Sequence, residues 1–469
     1  MSVAATSLAR GLVPAGVAAL LLPGWLAGGR AAAPRIVVGE VVAVSADRSA
    51  VPHVEPVLAA HPANPGLLFG AAVSLPDASA RQGLEATTVD GFRSTDGGLS
   101  WRRVPLPACR IDPWVSFGTD DRLYLSCLSR ESAVVLYRSA DAGGSWQGPV
   151  PLPAGGGGSA DRPVVVADRS PGSPRGSLYV VYGQHFAAAG LRRRLFGPAI
   201  AASADGGRTF SAPVLLRHDN LEQQPFDAVV LADGSAVVFF MDYAAGGAPL
   251  RHRRTWAITL AGGGRAPSTP ALVGEQVDRE MPWSAASDGS RLHRDRLYLA
   301  VAGLWEREGG RAESLPAGGM SRLYVISSDD RAETWSAPVA VTDGPAAAGC
   351  ATPAIAVDGA GVVGLAWYDT RLDPGGECFD VYFSASLDGG KSFLPNVRVT
   401  PETSCPQAGK FRGVGSRWRF GGDYSGLAAG ADGRFHVFWA DSRSGVYQVA
   451  TAAVRVVTGS VAAGGGRGR

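Results

Sequence analysis

A short motif, S-x-D-x-G-x-x-W/F, recurs along this chain in four intact copies and one degraded copy. The intact copies begin at Ser94, Ser139, Ser203 and Ser386, and the degraded copy, which has alanine in place of the glycine, begins at Ser328. The interval from Ser203 to Ser328 is about twice the interval from Ser328 to Ser386, so a unit that lacks the motif lies between them. Such repeats indicate a fold built by stacking similar units, because one unit cannot bury its apolar side chains alone.

Each motif lies near the end of a longer unit. In residues 352–400 two apolar runs flank a glycine turn, a third run follows a loop, and a fourth run follows the motif. Period-two alternation in such short runs predicts antiparallel β-strands, and four-stranded units repeated around an axis form a β-propeller. We therefore predict an all-β fold, a β-propeller of four-stranded antiparallel blades, with seven blades counted and six as the alternative.

The ends of the repeat define the predicted domain. The inner strands are expected to begin near Pro56, Pro113, Pro163, Phe226, Pro282, Pro353 and Tyr424. The last unit offers only three strands, and residues 35–45 are predicted to supply its fourth strand and to close the ring without a free edge. Residues 34–457 are thus predicted to form a single propeller domain.

The two ends of the chain differ from the repeat in composition. Residues 1–33 contain an early arginine, an apolar run and then small residues, which is the layout of a signal peptide. Residues 458–469 are rich in glycine and are predicted to be a disordered tail. We expect a secreted or periplasmic monomer, without a membrane anchor after signal cleavage.

Charge and histidine spacing exclude several kinds of partner. The net charge of +2 gives no electrostatic reason to expect binding to nucleic acid. The 7 histidines have no spacing typical of a zinc site, so no metal and no cofactor is predicted. Calcium at an acidic rim is left open as an alternative, although the sequence has no calcium-loop signature.

The motif is predicted to be a structural turn between the third and fourth strands of a blade. Its serine and aspartate can bond turn amides, its glycine can adopt positive φ, and its aromatic residue can pack into the blade. A catalytic acid is needed once, so the repetition argues against catalysis. The residues given this structural role are Ser94, Asp96, Gly98, Trp101, Ser139, Asp141, Gly143, Trp146, Ser203, Asp205, Gly207, Phe210, Asp330, Trp335, Ser386, Asp388, Gly390 and Phe393.

Five cysteines fit an oxidising compartment and leave one unpaired. Cys109 precedes the inner strand of the second unit and Cys127 ends its second strand, and Cys350 and Cys378 occupy nearly matching places in the sixth unit. Adjacent antiparallel strands bring such pairs within bridging reach. We predict the bridges Cys109–Cys127 and Cys350–Cys378, with Cys405 free; Cys378–Cys405 is the alternative for the second bridge.

Carboxylates and arginines collect at the starts of the predicted inner strands, on the face opposite the motif. Antiparallel topology places these positions, and the ends of the second strands, around one mouth of the central channel. The alternative is that they cap strand ends and pair between blades, because structural ion pairs resemble sites. The residues predicted to line this mouth are Glu55, Arg110, Asp161, Arg162, Arg279, Arg371 and Arg443.

The chain resembles the sialidase (neuraminidase) superfamily over residues 50–457. The motif is similar to the Asp-box, or bacterial neuraminidase repeat, and residues 55–65, 367–371 and 421–443 are similar to segments of bacterial exported sialidase-like proteins. The resemblance implies a propeller that acts on glycans as an exo-glycosidase, with a carbohydrate or glycoconjugate as partner. Because other Asp-box proteins have different activities, a non-catalytic exported propeller that binds a glycan or a protein partner is the alternative.

The resemblance also implies roles for individual residues. Tyr424, in the similar segment "YSGL", would be the nucleophile, Glu280 its partner base and Asp112 the acid, and the residues of the mouth would bind the substrate. A tyrosine suits an anionic sugar, which would repel a carboxylate nucleophile, and arginines would hold the sugar carboxylate. Arg371 and Arg443 lie in repeated D-x-R turns, which would equally serve as braces between strands.

Overall fold

The structure is a computed structural model that describes residues 32–75, 86–106, 108–153, 159–173, 176–187, 194–216, 219, 221–245, 248–249, 253–261, 263–276, 284–302, 305–306, 322–345, 349–373, 376–406 and 419–458. Residues Arg35–Val457 form one compact unit. Within the described ranges, no helix has the length and apolarity needed to span a bilayer.

Short β-strands make up almost all of the regular structure. The first strands are β1 (Arg35–Ala43), β2 (His53–Ala60), β3 (Leu68–Ser74), β4 (Thr88–Ser94), β5 (Arg102–Leu106), β6 (Ile111–Phe117), β7 (Leu123–Leu128), β8 (Val134–Ser139), β9 (Gln147–Pro151), β10 (Asp161–Ala167), β11 (Leu178–Ala187), β12 (Arg194–Ser203) and β13 (Val214–Leu215). The central strands are β14 (Glu222–Val230), β15 (Ala236–Ala245), β16 (Ala248–Pro249), β17 (Arg253–Ala261), β18 (Ala266–Pro267), β19 (Ala271–Gln276), β20 (Ser284–Ser287), β21 (Leu297–Ala302) and β22 (Trp305–Glu306). The last strands are β23 (Leu323–Ser328), β24 (Val339–Ala340), β25 (Cys350–Val357), β26 (Val363–Asp369), β27 (Asp380–Ser386), β28 (Val397–Arg398), β29 (Gly426–Ala429), β30 (Phe435–Asp441) and β31 (Gln448–Val457). Among the described residues, 3-10 turns at Ala46–Arg48 and Arg419–Gly421 accompany them.

The strands form seven antiparallel sheets, and each sheet is one blade of a propeller. From the centre outwards, blades 1, 2 and 3 are β2–β5, β6–β9 and β10–β13. Blade 4 has the path β14-β15-β17-β19, extended by β22 and by the two-residue strands β16 and β18. Blades 5, 6 and 7 are β20-β21-β23-β24, β25–β28 and β29-β30-β31-β1. The predicted all-β propeller with seven blades is therefore confirmed.

The first strand of the domain closes the ring, as predicted. Strand β1 pairs antiparallel with β31, from Arg35 opposite Val457 to Ala43 opposite Ala450. Just beyond β1, the buried Ser45 hydroxyl donates a hydrogen bond to Gln448 Oε1 at 2.7 Å. The inner strand of blade 7, β29, contacts that of blade 1, β2, so the first and last blades meet directly.

The five motif copies form the same hydrogen-bonded turn. In blade 2 the Ser139 hydroxyl donates to Asp141 Oδ1 at 2.7 Å and accepts from the Gly143 amide at 2.8 Å, and the Ser145 amide donates to Asp141 Oδ1 at 2.8 Å. Equivalent bonds occur in the other four copies. Burial would raise the pKa of Asp141, but the donors of Ser145 and Ser139 outweigh it and lower that pKa to about 2. These carboxylates are thus committed to their own turns.

The degraded copy shows what the motif requires of its glycine position. Ala332 occupies that position at φ +71°, where the left-handed backbone conformation is strained for any residue with a Cβ atom. Its amide still donates to the Ser328 hydroxyl at 3.0 Å, so the turn survives the substitution.

The aromatic residue at the end of the motif packs against a neighbouring blade. In blade 2 the terminal Trp146 packs edge-on against Phe69 of blade 1, with ring centroids 5.1 Å apart.

Two disulfides are present, and one of them corrects a sequence-based expectation. Cys109 is bonded to Cys127, the pairing expected from the sequence, but Cys378 is bonded to Cys405. The predicted Cys350–Cys378 bridge is therefore wrong, and Cys350 is a buried free thiol.

Strand pairing explains the second bridge. Cys350 lies opposite Asp369 across β25 and β26, and its Sγ is 3.7 Å from Asp369 Oδ2. Phe379 and Ser404 form an isolated antiparallel bridge with backbone hydrogen bonds of 2.8 and 2.9 Å. This bridge sets their sequence neighbours Cys378 and Cys405 side by side.

Candidate active site

A repeated backbone device opens four of the inner strands. Glu55, Asp112, Arg162 and Thr352 each immediately precede a proline and have φ of 54°, 53°, 49° and 48°. At each of these positions the register with the second strand shifts, which marks a β-bulge. A non-glycine residue at positive φ is strained, which lowers the stability of the fold. A β-bulge changes the direction of the side chain, so this strained backbone orients the four residues.

Three of these four side chains meet at Tyr424, just before the inner strand of blade 7. The Tyr424 hydroxyl lies 3.4 Å from Glu55 Oε2 and 3.4 Å from Asp112 Oδ1. The Arg162 guanidinium carbon lies 5.5 Å from the centroid of the Tyr424 ring, and the Trp114 ring meets that ring edge-on at 5.6 Å. Blades 1, 2, 3 and 7 thus contribute to one cluster, which we call the tyrosine cluster: Glu55, Asp112, Arg162 and Tyr424.

The backbone before Tyr424 leaves room for Glu55. Gly422 has φ +123°, and a Cβ atom at this position would collide with the Glu55 side chain. Only glycine combines that backbone conformation with the absence of a side chain. The segment "GGDYS" therefore fits Glu55 against Tyr424, and Glu55 is 2% exposed.

Asp112 is half-buried, and its carboxyl lies close to those of Glu55 and Asp161. Burial raises the pKa of Asp112 well above its usual range, and the nearby carboxylates of Glu55 and Asp161 raise it further. Burial likewise raises the pKa of Tyr424, reinforced by Glu55 and Asp112. Both shifts favour the protonated forms, so the cluster favours a carboxylic acid at Asp112 and a neutral phenol at Tyr424. A carboxylic acid held in this form can donate a proton to a reacting group.

Arg162 brings a buried positive charge to the same place. It is 6% exposed, its backbone amide donates to Asp112 Oδ2 at 3.4 Å, and its Nη2 donates to the Asp423 carbonyl at 3.5 Å. Its buried Nη1 has no hydrogen-bond partner among the described residues. A buried guanidinium nitrogen without a partner is costly, so this atom is suited to an anionic ligand.

The structure adds two residues that sequence reasoning missed. Gln224 of blade 4 donates from Nε2 to Asp161 Oδ2 at 3.3 Å. Asp227 is 6% exposed and accepts the amides of Ala285 at 2.7 Å and Ala228 at 2.8 Å. The sequence contains a signal for Asp227. The position two residues after the proline near the start of the inner strand is apolar in blades 1 to 3, where it is Leu58, Val115 and Val165, but in blade 4 it is Asp227.

The other predicted residues have different surroundings. Arg371 pairs with Asp369 at 2.7 Å and Asp343 at 2.8 Å, and Arg443 pairs with Asp441 at 2.7 Å, so both make the brace contacts left open by the sequence. Glu280 and Arg279 lie outside the described residues.

Arg110 braces a loop of its own blade. It donates from Nε to the Ser129 carbonyl at 3.3 Å and from Nη2 to the Ser132 hydroxyl at 3.2 Å. Among the described residues, no group of His, Cys, Asp or Glu side chains has the arrangement of a metal site.

Asp227 makes stability depend on pH. Burial raises its pKa to about 7, against an ordinary value of 3.8, so folding favours the protonated form. The resulting stabilisation is complete below about pH 4 and is lost as the pH rises through about 7, a change on the order of 4 kcal/mol. The measurement is urea unfolding of the parent and of Asp227→Asn at pH 4.5 and at pH 8. We expect the free energy of unfolding of the parent, minus that of Asp227→Asn, to be lower at pH 8 than at pH 4.5 by on the order of 4 kcal/mol. A difference between the two proteins that is equal at both pH values would contradict the assignment.

No protein-family model and no curated protein matches the sequence. Solved structures to which the chain is similar include a Hadza microbial sialidase, with 13% identity over 83% of this chain and 76% of that chain and a TM-score of 0.45. A polysaccharide lyase of family 25, an ulvan lyase, has 12% identity over 71% of this chain and 76% of that chain, with a TM-score of 0.43. An α-L-arabinofuranosidase from Fusarium graminearum has 13% identity over 91% of this chain and 98% of that chain, with a TM-score of 0.43. Similarity at this level says nothing about activity, so the chemistry of the site rests on its own residues.

Proposed function

We propose that the protein is an exo-glycosidase of sialidase type, which acts on glycans at the channel mouth that contains the tyrosine cluster. One observation carries this proposal: the Tyr424 hydroxyl lies between the carboxyl groups of Glu55 and Asp112, beside a buried arginine. A phenol is a weak nucleophile until a base removes its proton, and a carboxylate within reach supplies that base.

In the proposed reaction, Tyr424 Oη attacks the anomeric carbon while Glu55 accepts the phenol proton. The bond from that carbon to the leaving oxygen breaks, and the proton held by Asp112 passes to the leaving oxygen. Water then attacks the anomeric carbon of the glycosyl–tyrosine intermediate and loses a proton to the Asp112 carboxylate. The bond from that carbon to Tyr424 Oη breaks, the sugar is released, and Glu55 returns its proton to Tyr424. Glu55 here takes the role of the base, for which the family resemblance implied Glu280, a residue outside the described ranges.

The proposed substrate is a glycoside with a carboxylate on its sugar. The Arg162 guanidinium, whose buried Nη1 has no hydrogen-bond partner among the described residues, would supply a charged donor to the substrate, and guanidinium groups bind carboxylates strongly. A carboxylate nucleophile would be repelled by such a sugar, whereas a neutral tyrosine is not. An acidic sugar therefore explains both the arginine and the tyrosine.

A glycan-binding propeller without turnover is the second candidate. It is favoured by the 7% exposure of Tyr424 and by the burial that raises the pKa of this phenol, because both hold the hydroxyl in its unreactive form. In this case the mouth would hold the same acidic sugar through Arg162, with Tyr424 and Trp114 as its aromatic wall.

The proposed location is outside the cytoplasm, in a periplasmic or extracellular compartment. Two disulfides join Cys109 to Cys127 and Cys378 to Cys405, and such bonds persist in oxidising compartments. The predicted signal peptide, residues 1–33, belongs to the same proposal, and its residues 1–31 lie outside the described residues.

The purified protein should be assayed against chromogenic α-glycosides of acidic sugars and of neutral sugars. We expect hydrolysis of acidic glycosides only. Arg162→Gln should raise KM for the acidic substrate about tenfold or more, because it removes a charge-assisted contact. The control Arg455→Gln, at an exposed arginine of β31, should leave KM unchanged.

Three outcomes distinguish the two candidates or contradict the proposed role of Arg162. Binding of an acidic sugar that depends on Arg162, without hydrolysis, would support the binding propeller. Equal hydrolysis of neutral and acidic sugars, or a KM unaffected by Arg162→Gln in a protein that melts like the parent, would contradict the role of Arg162.

A further inference from the structure

A polar cavity lies at the motif turns of blades 2 and 3, and it shares no lining residue with the tyrosine cluster. Its volume is about 130 Å³, several times the roughly 30 Å³ that one water molecule occupies in the liquid. We call it the arginine pocket, after the side chains that line it: Arg122, Tyr124, Arg138, Gln147 and Arg208.

Strand register builds one wall of the pocket. Tyr124 of β7 lies directly opposite Arg138 of β8, and Arg138 lies opposite Gln147 of β9, so the three side chains share one face of blade 2. Arg208 and Gly206 come from the motif turn of blade 3. A Cβ atom at Gly206 would lie 3.8 Å from the Tyr124 hydroxyl, so the glycine backbone forms the wall facing that hydroxyl.

Three donor atoms of this pocket, the Tyr124 hydroxyl and Nε and Nη1 of Arg138, have no partner within the described part of the chain. Tyr124 is 1% exposed, and its hydroxyl makes no hydrogen bond of acceptable geometry, although the Arg122 guanidinium lies beside it. Arg138 buries Nε and Nη1, and neither atom has a hydrogen-bond partner. Buried donors without acceptors are rare in native proteins and point to a ligand or ordered water.

The pocket also lacks a free counter-charge. Its carboxylate, Asp205, already accepts hydrogen bonds from the Ser203 hydroxyl, the Thr209 amide and the Thr209 hydroxyl of its own turn. Arg208 donates from Nη1 to the Asp205 backbone carbonyl at 2.8 Å, which uses a neutral acceptor. Three guanidinium groups are therefore gathered, and no carboxylate among the described residues that line the pocket is available to pair with them.

We propose that the arginine pocket binds a tetrahedral oxyanion, a sulfate or phosphate group. Such a group offers acceptors in several directions, which matches guanidinium groups of both blades and the Tyr124 hydroxyl, whereas a flat carboxylate offers acceptors in one plane. Its negative charge offsets the repulsion among the three arginines. The group is either a free ion or an ester on a sugar, and the site is independent of the tyrosine cluster.

Isothermal titration of the full chain tests this site directly. Sodium sulfate and sodium phosphate would be titrated at a constant ionic strength set with sodium chloride, so that general salt effects are equal. We expect saturable binding of one ion to the parent. Arg138→Gln should weaken it about tenfold or more, and Tyr124→Phe severalfold, because each removes a donor to a charged group.

Two further variants keep the test valid if Arg138→Gln is poorly folded. Arg138→Lys keeps the charge but removes the planar fork, so it should also weaken binding. Arg102→Gln, at an exposed arginine of β5, is the matched control and should bind as the parent does. Melting curves in chloride identify any variant whose loss of binding reflects unfolding.

Galactose 6-sulfate and glucose 6-phosphate distinguish the two sources of the group. Tighter binding of a sugar ester than of the free ion supports an ester on a glycan as the ligand, and equal or weaker binding supports a free oxyanion. The proposal is overturned if none of the four ligands shows saturable binding to the parent. It is also overturned if folded Arg138→Gln and Tyr124→Phe both bind as tightly as the parent.

Discussion

Tyr424→Phe should lower turnover of an acidic glycoside by on the order of a hundredfold or more, while leaving the fold intact. The substitution removes one oxygen atom, which lies 3.4 Å from both Glu55 Oε2 and Asp112 Oδ1. The ring, which packs against Trp114, is kept. We therefore expect the free energy of unfolding to change by no more than about 1 kcal/mol.

The control for this substitution is Tyr182→Phe. Tyr182 is also a buried tyrosine, and its hydroxyl donates to the Pro153 carbonyl at 3.0 Å in blade 3. Its loss should cost about 1 kcal/mol of stability and leave turnover unchanged. Steady-state kinetics give the turnover of both variants, and urea unfolding gives their stability. Turnover of Tyr424→Phe at the parent rate would exclude tyrosine as the nucleophile.

Removal of residues 35–45 should prevent cooperative folding of the propeller. These residues form β1, which pairs with β31 along its length, and they include the buried residues Val44 and Ser45. Burial of one such aliphatic side chain contributes about 1.5–3 kcal/mol, and each lost hydrogen bond about 1 kcal/mol. Ile36, Val38 and Val41 also pack against the core. The summed loss is several kcal/mol, a large part of the roughly 5–15 kcal/mol that stabilises a domain.

The matched comparison is between a chain that begins at residue 34 and one that begins at residue 46. The longer chain should unfold in one cooperative transition by circular dichroism, whereas the shorter chain should show none and should aggregate through the exposed edge of β31. A cooperative transition of the shorter chain at the temperature of the longer one would show that ring closure does not stabilise this propeller.

The architecture could be predicted because its signals are local and repeated. The motif copies set the period, and the missing fourth strand of the last unit pointed to residues 35–45. Antiparallel alternation predicted that Glu55, Asp112, Arg162 and Tyr424 share one face, and the structure brings the four residues together. These inferences need only the spacing of residues along each blade, which the sequence contains.

Contacts between blades could not be predicted in the same way. That Glu55 of blade 1 meets Tyr424 of blade 7 depends on the closure of the ring and on the space at Gly422. The bond from Cys378 to Cys405 depends on a single bridge made by the residues next to them. Such meetings arise from the curvature of the ring and from loop paths, which no periodicity encodes.

The most direct measurement is the trapping of a covalent intermediate. The reagent is a glycosyl fluoride of the acidic sugar that the protein hydrolyses, with a second fluorine on the sugar ring. This fluorine slows the breakdown of a covalent glycosyl-enzyme, so mass spectrometry of the digested protein can locate the residue that carries the sugar. We predict one sugar per chain, attached to the peptide that contains Tyr424 and absent from Tyr424→Phe. An adduct on a different residue, or continued hydrolysis of the parent with no adduct at all, would contradict catalysis by the tyrosine cluster.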